Sequence, residues 1–122
     1  MIVRALAILA LTGALCWAHG PAEAADAEKV TMTGEIIDLA CYLPHPATGQ
    51  GNAHKKCAET CVKKGLPMGL LTDDKQVYVL LEDHENPKPY AELKDKAAQK
   101  VTIDAEKVTQ GGTQGLVVEA VK

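Results

Sequence analysis

The chain has 122 residues and a formal net charge of −3, with no phenylalanine and a single tryptophan. This length favours one domain with a modest hydrophobic core. The 13 basic and 16 acidic residues form no basic, aromatic-bearing groove of the kind that binds nucleic acid, so that partner class is excluded.

Residues 1–24 have the pattern of a secretory signal peptide. A short positive start at Met1–Arg4 precedes an apolar run, Ala5–Ala18, that is too short to span a membrane. Ala22-Glu23-Ala24 is a small-x-small cleavage site. We therefore expect a periplasmic or secreted protein whose mature part, residues 25–122, is one domain without a membrane span.

The first predicted strand is Val30–Leu39, which Gly34 interrupts as at a bulge or a barrel bend. Before it, Ala25–Lys29 is expected to be a disordered leader. After it, Cys41–Gly51 is predicted to be a loop, because prolines and glycines cluster there. Asp38, at the strand end, is expected to cap or turn the chain rather than to orient a metal ligand.

The segment Asn52–Gly65 predicts a short helix, with Asn52 as its N-cap and Gly65 as the residue beyond its C-cap. The lysines and other polar residues take one side of this helix. At the helical period the opposite, inward face carries His54, Cys57, Ala58, Cys61 and Val62.

The rest of the chain predicts a hairpin, a helix and two closing strands. The hairpin strands are Leu66–Leu71 and Val77–Leu81, the helix is Tyr90–Gln99, and the last strands are Val101–Val108 and Gly115–Val121. Five short strands with a helix between the third and fourth favour a mainly β, OB-like barrel, here with a Cys/His helix inserted after strand one. A small open α+β sheet with the same elements is the alternative.

The run from Gly34 to Cys41 and the later spacing of His54, Cys57 and Cys61 resemble a widespread group of small exported bacterial domains. The pattern of that group is roughly G-x-[IV]-x-D-x-x-C, then H-x-x-C-A-x-x-C-x-x-x-G and a hairpin that carries V-Y. The resemblance implies no established activity. It implies that the polar residues shared with the group are Asp38, Cys41, His54, Cys57 and Cys61.

Three thiols and an imidazole near one helix favour a metal site. Cys3His is a tetrahedral zinc set, and thiolates also suit Cu(I), so the expected ion is zinc or copper. The sequence leaves open whether His45, Met68 or Met32 takes part. The predicted ligands are Cys41, His54, Cys57 and Cys61.

Two other interpretations stay open. A disulfide from Cys41 to Cys57 or Cys61 would give a structural or interaction domain with a spare thiol, since residues i and i+4 of a helix lie too far apart to bridge each other. Alternatively, His54 lowers the pKa of a neighbouring thiol in a redox protein. No Ser-His-Asp set, phosphate-binding loop or carboxylate pair is visible in the sequence, so a non-enzymatic role is favoured. The expected partners are a metal donor or acceptor, or another exported protein.

Overall fold

The computed structural model describes residues 27–122, so the predicted signal peptide lies outside the described residues. Five strands form a closed barrel in the order β1-β2-β3-β5-β4. The strands are β1 (Glu28–Asp38), β2 (Met68–Leu71), β3 (Val77–Glu82), β4 (Lys100–Gln110) and β5 (Thr113–Val121). The helices are α1 (Leu39–Tyr42), α2 (Lys55–Lys63) and α3 (Lys88–Leu93), with 3₁₀ turns at Asn52–His54 and Lys94–Lys96.

The prediction of a small five-stranded, OB-like barrel with an inserted helix is confirmed. β3 and β5 pair in parallel, and the remaining pairs of the barrel are antiparallel. α3 follows β3 and precedes β4, as the element order predicted. Within residues 27–122, no helix is both long and apolar enough to cross a membrane.

β1 changes its partner near Gly34. It pairs with β4 from Glu28 to Glu35 and with β2 from Glu35 to Asp38. A Cβ atom on Gly34 would lie 2.6 Å from the carbonyl oxygen of Leu71, so this close approach of two strands requires glycine. The glycine therefore marks a barrel bend within a continuous strand, and the irregular register lies instead in the β4–β5 pair, between Asp104 and Ala105.

The hydrophobic core fills the barrel and extends to α2. Ala58 and Val62 of α2 pack in the main buried cluster, together with side chains from the strands. Full burial contributes about 1.5–3 kcal/mol for a side chain such as that of Val62 and about 0.8 kcal/mol for a single carbon such as the methyl group of Ala58, so these two contacts fix α2 against the barrel. The largest side chains that are fully buried in the strands are Ile36, Ile37, Met68, Leu70, Ile103, Leu116 and Val118.

Several predicted boundaries are wrong, among them the start of β1 and both ends of α3. Glu28 and Lys29 belong to β1 rather than to a disordered leader, because the long β4 offers them backbone partners at Lys107 and Glu106. α3 begins at Lys88 and ends at Leu93, earlier than the predicted Tyr90–Gln99. Proline is tolerated in the first turn of a helix, where no intrahelical N–H bond is made, so Pro89 does not block this early start.

Candidate metal centre

Asp38 positions Cys41. It is the last residue of β1, and its carboxylate Oδ1 accepts a hydrogen bond of 3.0 Å from the backbone N–H of Ala40, which caps α1. Aspartate is a preferred N-cap because its oxygen satisfies a backbone donor that the first helical turn leaves free. Cys41 therefore lies on a helical turn, and the prediction that the segment is a loop from Cys41 onward is wrong at its start.

Gly49 packs directly against this turn. A Cβ atom at Gly49 would lie 2.7 Å from the Cα atom of Tyr42 and 2.9 Å from the carbonyl oxygen of Cys41. Both neighbours are backbone atoms, which cannot move aside without moving Cys41. Glycine at this position thus allows the segment after α1 to fold back closely and to support the Cys41 turn.

The helix that carries the remaining donors ends as predicted but begins differently. Gly65 has φ +92°. Its N–H donates to the carbonyl of Val62 at 3.0 Å, and the N–H of Leu66 donates to the carbonyl of Cys61 at 3.1 Å. These two bonds form a Schellman motif, so the predicted role of Gly65 is confirmed. Asn52 is not an N-cap: it is the first residue of the 3₁₀ turn, and Gly51 precedes it.

The predicted inward face of α2 is divided in the structure. Ala58 and Val62 are buried in the core, whereas His54 and Cys61 are half-buried and Cys57 is exposed. The prediction that all these side chains point into the core is therefore wrong for Cys57. Successive helical positions differ by about 100°, so the donors lie at the edge of the buried stripe.

The donor side chains form two overlapping groups of three. In one group, single ligand atoms of Cys41, His54 and Cys57 all lie within 4.8 Å of one another. In the other, the same is true of Asp38, Cys41 and Cys61. All four predicted ligands thus occur in a cluster that can bind a metal ion. Cys41 belongs to both groups, and Asp38 is an addition to the predicted set.

The three further candidates lie elsewhere. His45 is exposed in the turn after α1, and Met68 is fully buried in the hydrophobic core. Met32 is half-buried and packs against the same core. Among the donor groups found in residues 27–122, none includes His45.

Two polar atoms of the cluster are buried without a hydrogen-bond partner in the part of the chain that the structure describes. They are Oδ2 of Asp38 and Nε2 of His54. An unpaired buried polar group costs about 1–3 kcal/mol, and such groups are rare in folded proteins. Both residues are members of the donor groups, so a bound cation would supply the partner that each atom lacks.

The carboxylate of Asp38 also raises the pKa of two neighbouring thiols, those of Cys41 and Cys61. Its proximity, with burial as a second cause, raises the pKa of Cys41 to about 12. Burial is the larger cause for Cys61, whose pKa is also raised, and Asp38 adds to it. Both thiols are therefore protonated at neutral pH. A reactive redox cysteine instead needs a lowered pKa.

The three cysteines of the described residues, Cys41, Cys57 and Cys61, are free thiols. Sulfur atoms bound to one tetrahedral zinc ion lie about 3.5–4 Å apart, given Zn–S bonds of about 2.3 Å. The ligand atoms within each group lie no more than 4.8 Å apart, which is close to that separation.

Sequence reasoning underestimated Asp38. The expectation that it caps the strand end is correct, but the cap uses only one carboxylate oxygen and leaves the other buried without a partner among the described residues. Two signals could have added it to the ligand set: its position three residues before Cys41, and its place with the four predicted ligands in the pattern that the chain resembles.

Comparison with known proteins returns no matching family model, no matching curated protein and no matching solved structure.

Proposed function

We propose that this protein is a metal-binding module that holds a zinc or copper(I) ion in the Cys/His cluster. The candidate ligands are Cys41, His54, Cys57 and Cys61; Cys41 groups with His54 and Cys57 on one side and with Cys61 and Asp38 on the other. The observation that carries the proposal is the pair of buried, unpaired atoms, Oδ2 of Asp38 and Nε2 of His54, beside three free thiols.

The chemistry of the donors limits the ion. Thiolate sulfur and imidazole nitrogen suit zinc and copper, whereas calcium and magnesium require mostly oxygen ligands. Zinc accepts Cys and His ligands in a tetrahedron, and Cu(I) is selected by thiolates. Zinc and copper(I) are therefore the two ions to test.

A binding role is favoured over thiol redox catalysis. The raised pKa of Cys41 and Cys61 opposes the formation of a reactive thiolate in the absence of a cation. A metal ion reverses this preference, because it binds the thiolate form and releases the thiol protons. The same residues are thus poor nucleophiles and good metal ligands.

We also propose that the protein acts in the periplasm or is secreted, on the basis of the signal-peptide pattern in residues 1–24. Export to an oxidising compartment exposes neighbouring thiols to disulfide formation. Coordination of an ion would protect them, which gives the metal a role in maintaining the reduced cluster. A metal donor or acceptor in the same compartment is the expected partner.

The test is metal reconstitution of the reduced protein. After incubation with Zn²⁺ or with Cu⁺ under reductant and removal of free ion, we expect about one equivalent of bound metal by elemental analysis. His54→Asn should weaken the binding, whereas His45→Asn, which alters an exposed histidine outside the cluster, should not. Less than about 0.2 equivalents of either ion would contradict the proposal.

A second measurement separates the metal site from the disulfide alternative. Protein purified without reductant is mapped for disulfides by mass spectrometry before and after metal loading. The proposal predicts that loading prevents any bridge between Cys41 and the cysteines of α2. A single bridge that forms equally fast with and without metal would favour a disulfide-pinned domain.

A further inference from the structure

The donor cluster contains more ligand atoms than one tetrahedral ion can use. Its two groups of three share only Cys41. We name the group Cys41, His54 and Cys57 the outer position, and the group Asp38, Cys41 and Cys61 the inner position.

The two positions differ in depth. Cys57, in the outer position, is exposed, whereas the side chain of Asp38, in the inner position, is 0% exposed. Cys41, which both positions share, is half-buried and lies between these extremes. The names outer and inner therefore refer to the exposed Cys57 and the buried Asp38, since His54 and Cys61 are both half-buried.

The two positions also differ in chemistry. The outer position offers two sulfur atoms and an imidazole nitrogen, whereas the inner position offers two sulfur atoms and a carboxylate oxygen. Zinc is bound by aspartate oxygen as well as by cysteine sulfur and histidine nitrogen. Cu(I) is selected by soft ligands, and carboxylate oxygen is a hard one. The inner position thus suits zinc, and the outer position is the better site for copper(I).

The carboxylate of Asp38 is oriented for this role. Its Oδ1 is held by the 3.0 Å bond from the N–H of Ala40 at the start of α1. Its Oδ2 is buried and has no partner among the described residues, and one carboxylate oxygen of Asp38 lies within 4.8 Å of the sulfur atoms of Cys41 and Cys61. A structural cap needs only the first oxygen, so the cap does not explain why the second is buried.

From these observations we propose that Asp38 is a zinc ligand and that the inner position is the zinc site, while copper(I) uses the outer position. Because Cys41 belongs to both, the two ions compete for one thiolate. The inference rests on the proposed function, since it assigns the ion by position within the same cluster.

The test is a pair of variants measured with both ions. Asp38→Asn removes the carboxylate but keeps the cap, because asparagine caps helices as well as aspartate. The matched variant, His54→Asn, removes the outer imidazole. We titrate the full protein and each variant with Zn²⁺ and with Cu⁺ against competing chelators, and we confirm folding by circular dichroism. Asp38→Ser, which retains a capping hydroxyl, replaces Asp38→Asn if that variant does not fold.

We expect Asp38→Asn to weaken Zn²⁺ binding at least about tenfold, the lower end of the losses measured for altered metal-site residues, and to change Cu⁺ binding by less than about twofold. His54→Asn should weaken Cu⁺ binding more than Zn²⁺ binding. Unchanged Zn²⁺ affinity in Asp38→Asn, or an equal loss for both ions, would overturn the inference and leave the proposed function standing. Absence of binding by the unaltered protein would instead refute the proposed function itself.

Discussion

Two regions of this small barrel bury polar side chains, and they treat them in opposite ways. In the turn between β2 and β3, the buried hydroxyl of Thr72 donates to the Asp74 carboxylate and accepts the N–H of Gln76 at 3.1 Å. In the donor cluster, Asp38 and His54 each keep a buried atom without a partner. The hydroxyl of Thr72 is hydrogen-bonded within the chain, whereas the two buried atoms of the cluster would need a bound ion as their partner.

The contrast indicates what kind of feature the cluster is. A fold that pairs its buried polar atoms where they serve structure has no structural reason to leave two unpaired in one place. Unsatisfied atoms among thiols are expected where a metal site is built, because the ligands must face one another rather than partners in the protein.

The largest effect is expected from Cys41→Ser. Cys41 is the only residue in both donor groups, so its loss removes a ligand from each position. We expect the affinity for Zn²⁺ and for Cu⁺ to fall at least about 100-fold, the upper end of the losses seen when only a supporting residue is changed. Competition titration measures both values.

Two variants serve as controls for Cys41→Ser. Cys57→Ser affects only the outer position and Cys61→Ser only the inner one, so each should weaken one ion more than the other. If Cys41→Ser were no more damaging than either control, the sharing of Cys41 between two positions would be wrong.

Gly49→Ala should weaken metal binding without changing any donor. The new methyl group would overlap the backbone of Cys41 and Tyr42, so it displaces the turn that presents the Cys41 thiol. We expect a loss of affinity of about tenfold, comparable to the loss of a residue that supports a metal ligand, and a lower melting temperature.

The control for Gly49→Ala is Gly111→Ala in the β4–β5 turn. Gly111 has φ +56°, and an added Cβ atom would have nothing within 4 Å, so alanine there strains the backbone without touching the cluster. Its melting temperature should fall while its metal affinity stays unchanged. If Gly49→Ala and Gly111→Ala changed metal affinity equally, Gly49 would not support the position of Cys41.

Thr72→Val tests the satisfied region. It removes the hydroxyl that pairs with the N–H of Gln76, so we expect the free energy of unfolding to fall by about 1 kcal/mol. The loss should be the same with chelator and with zinc, as measured by urea denaturation. Thr60→Val, at an exposed helical site, is the control and should change stability by less than about 0.5 kcal/mol.

The smallest effect is expected from Asp38→Asn in the absence of metal, and its sign is the informative part. The variant replaces a buried, unpaired carboxylate by a neutral amide and keeps the cap, so it should stabilise the metal-free protein by up to about 1 kcal/mol. With zinc present the order should reverse, because only the original protein has the ligand. A variant that is less stable under both conditions would make Asp38 a purely structural residue.

The strands and the barrel could largely be predicted because they depend on local patterns. Alternating apolar residues and turn signals predict β3 and β5, and the helix between β3 and β4 indicates the OB-like order. The C-terminus of α2 was predictable for the same reason, since glycine at position 65 is a local signal for the end of a helix. In contrast, the extension of β1 to Glu28 depends on pairing with the distant β4.

The arrangement of the donors could be predicted only in part. Spacing along the chain brings Cys57 and Cys61 to neighbouring turns of α2, but whether they share an ion depends on where Cys41 lies in space. That position depends on the cap at Asp38 and on the close packing of Gly49, neither of which periodicity reveals. Asp38 was predicted to cap the chain and not to bind metal. An aspartate at the end of a strand can do either, and the sequence does not distinguish the two roles.

The most direct test of the account is zinc K-edge X-ray absorption of the reconstituted protein. The account predicts a first coordination shell with sulfur at about 2.3 Å and at least one lighter atom, nitrogen or oxygen, at about 2.0–2.1 Å. In Cys41→Ser the sulfur contribution should decrease or the bound zinc should be lost. A shell of nitrogen and oxygen alone, unchanged in that variant, would place the metal outside the cluster and contradict the account.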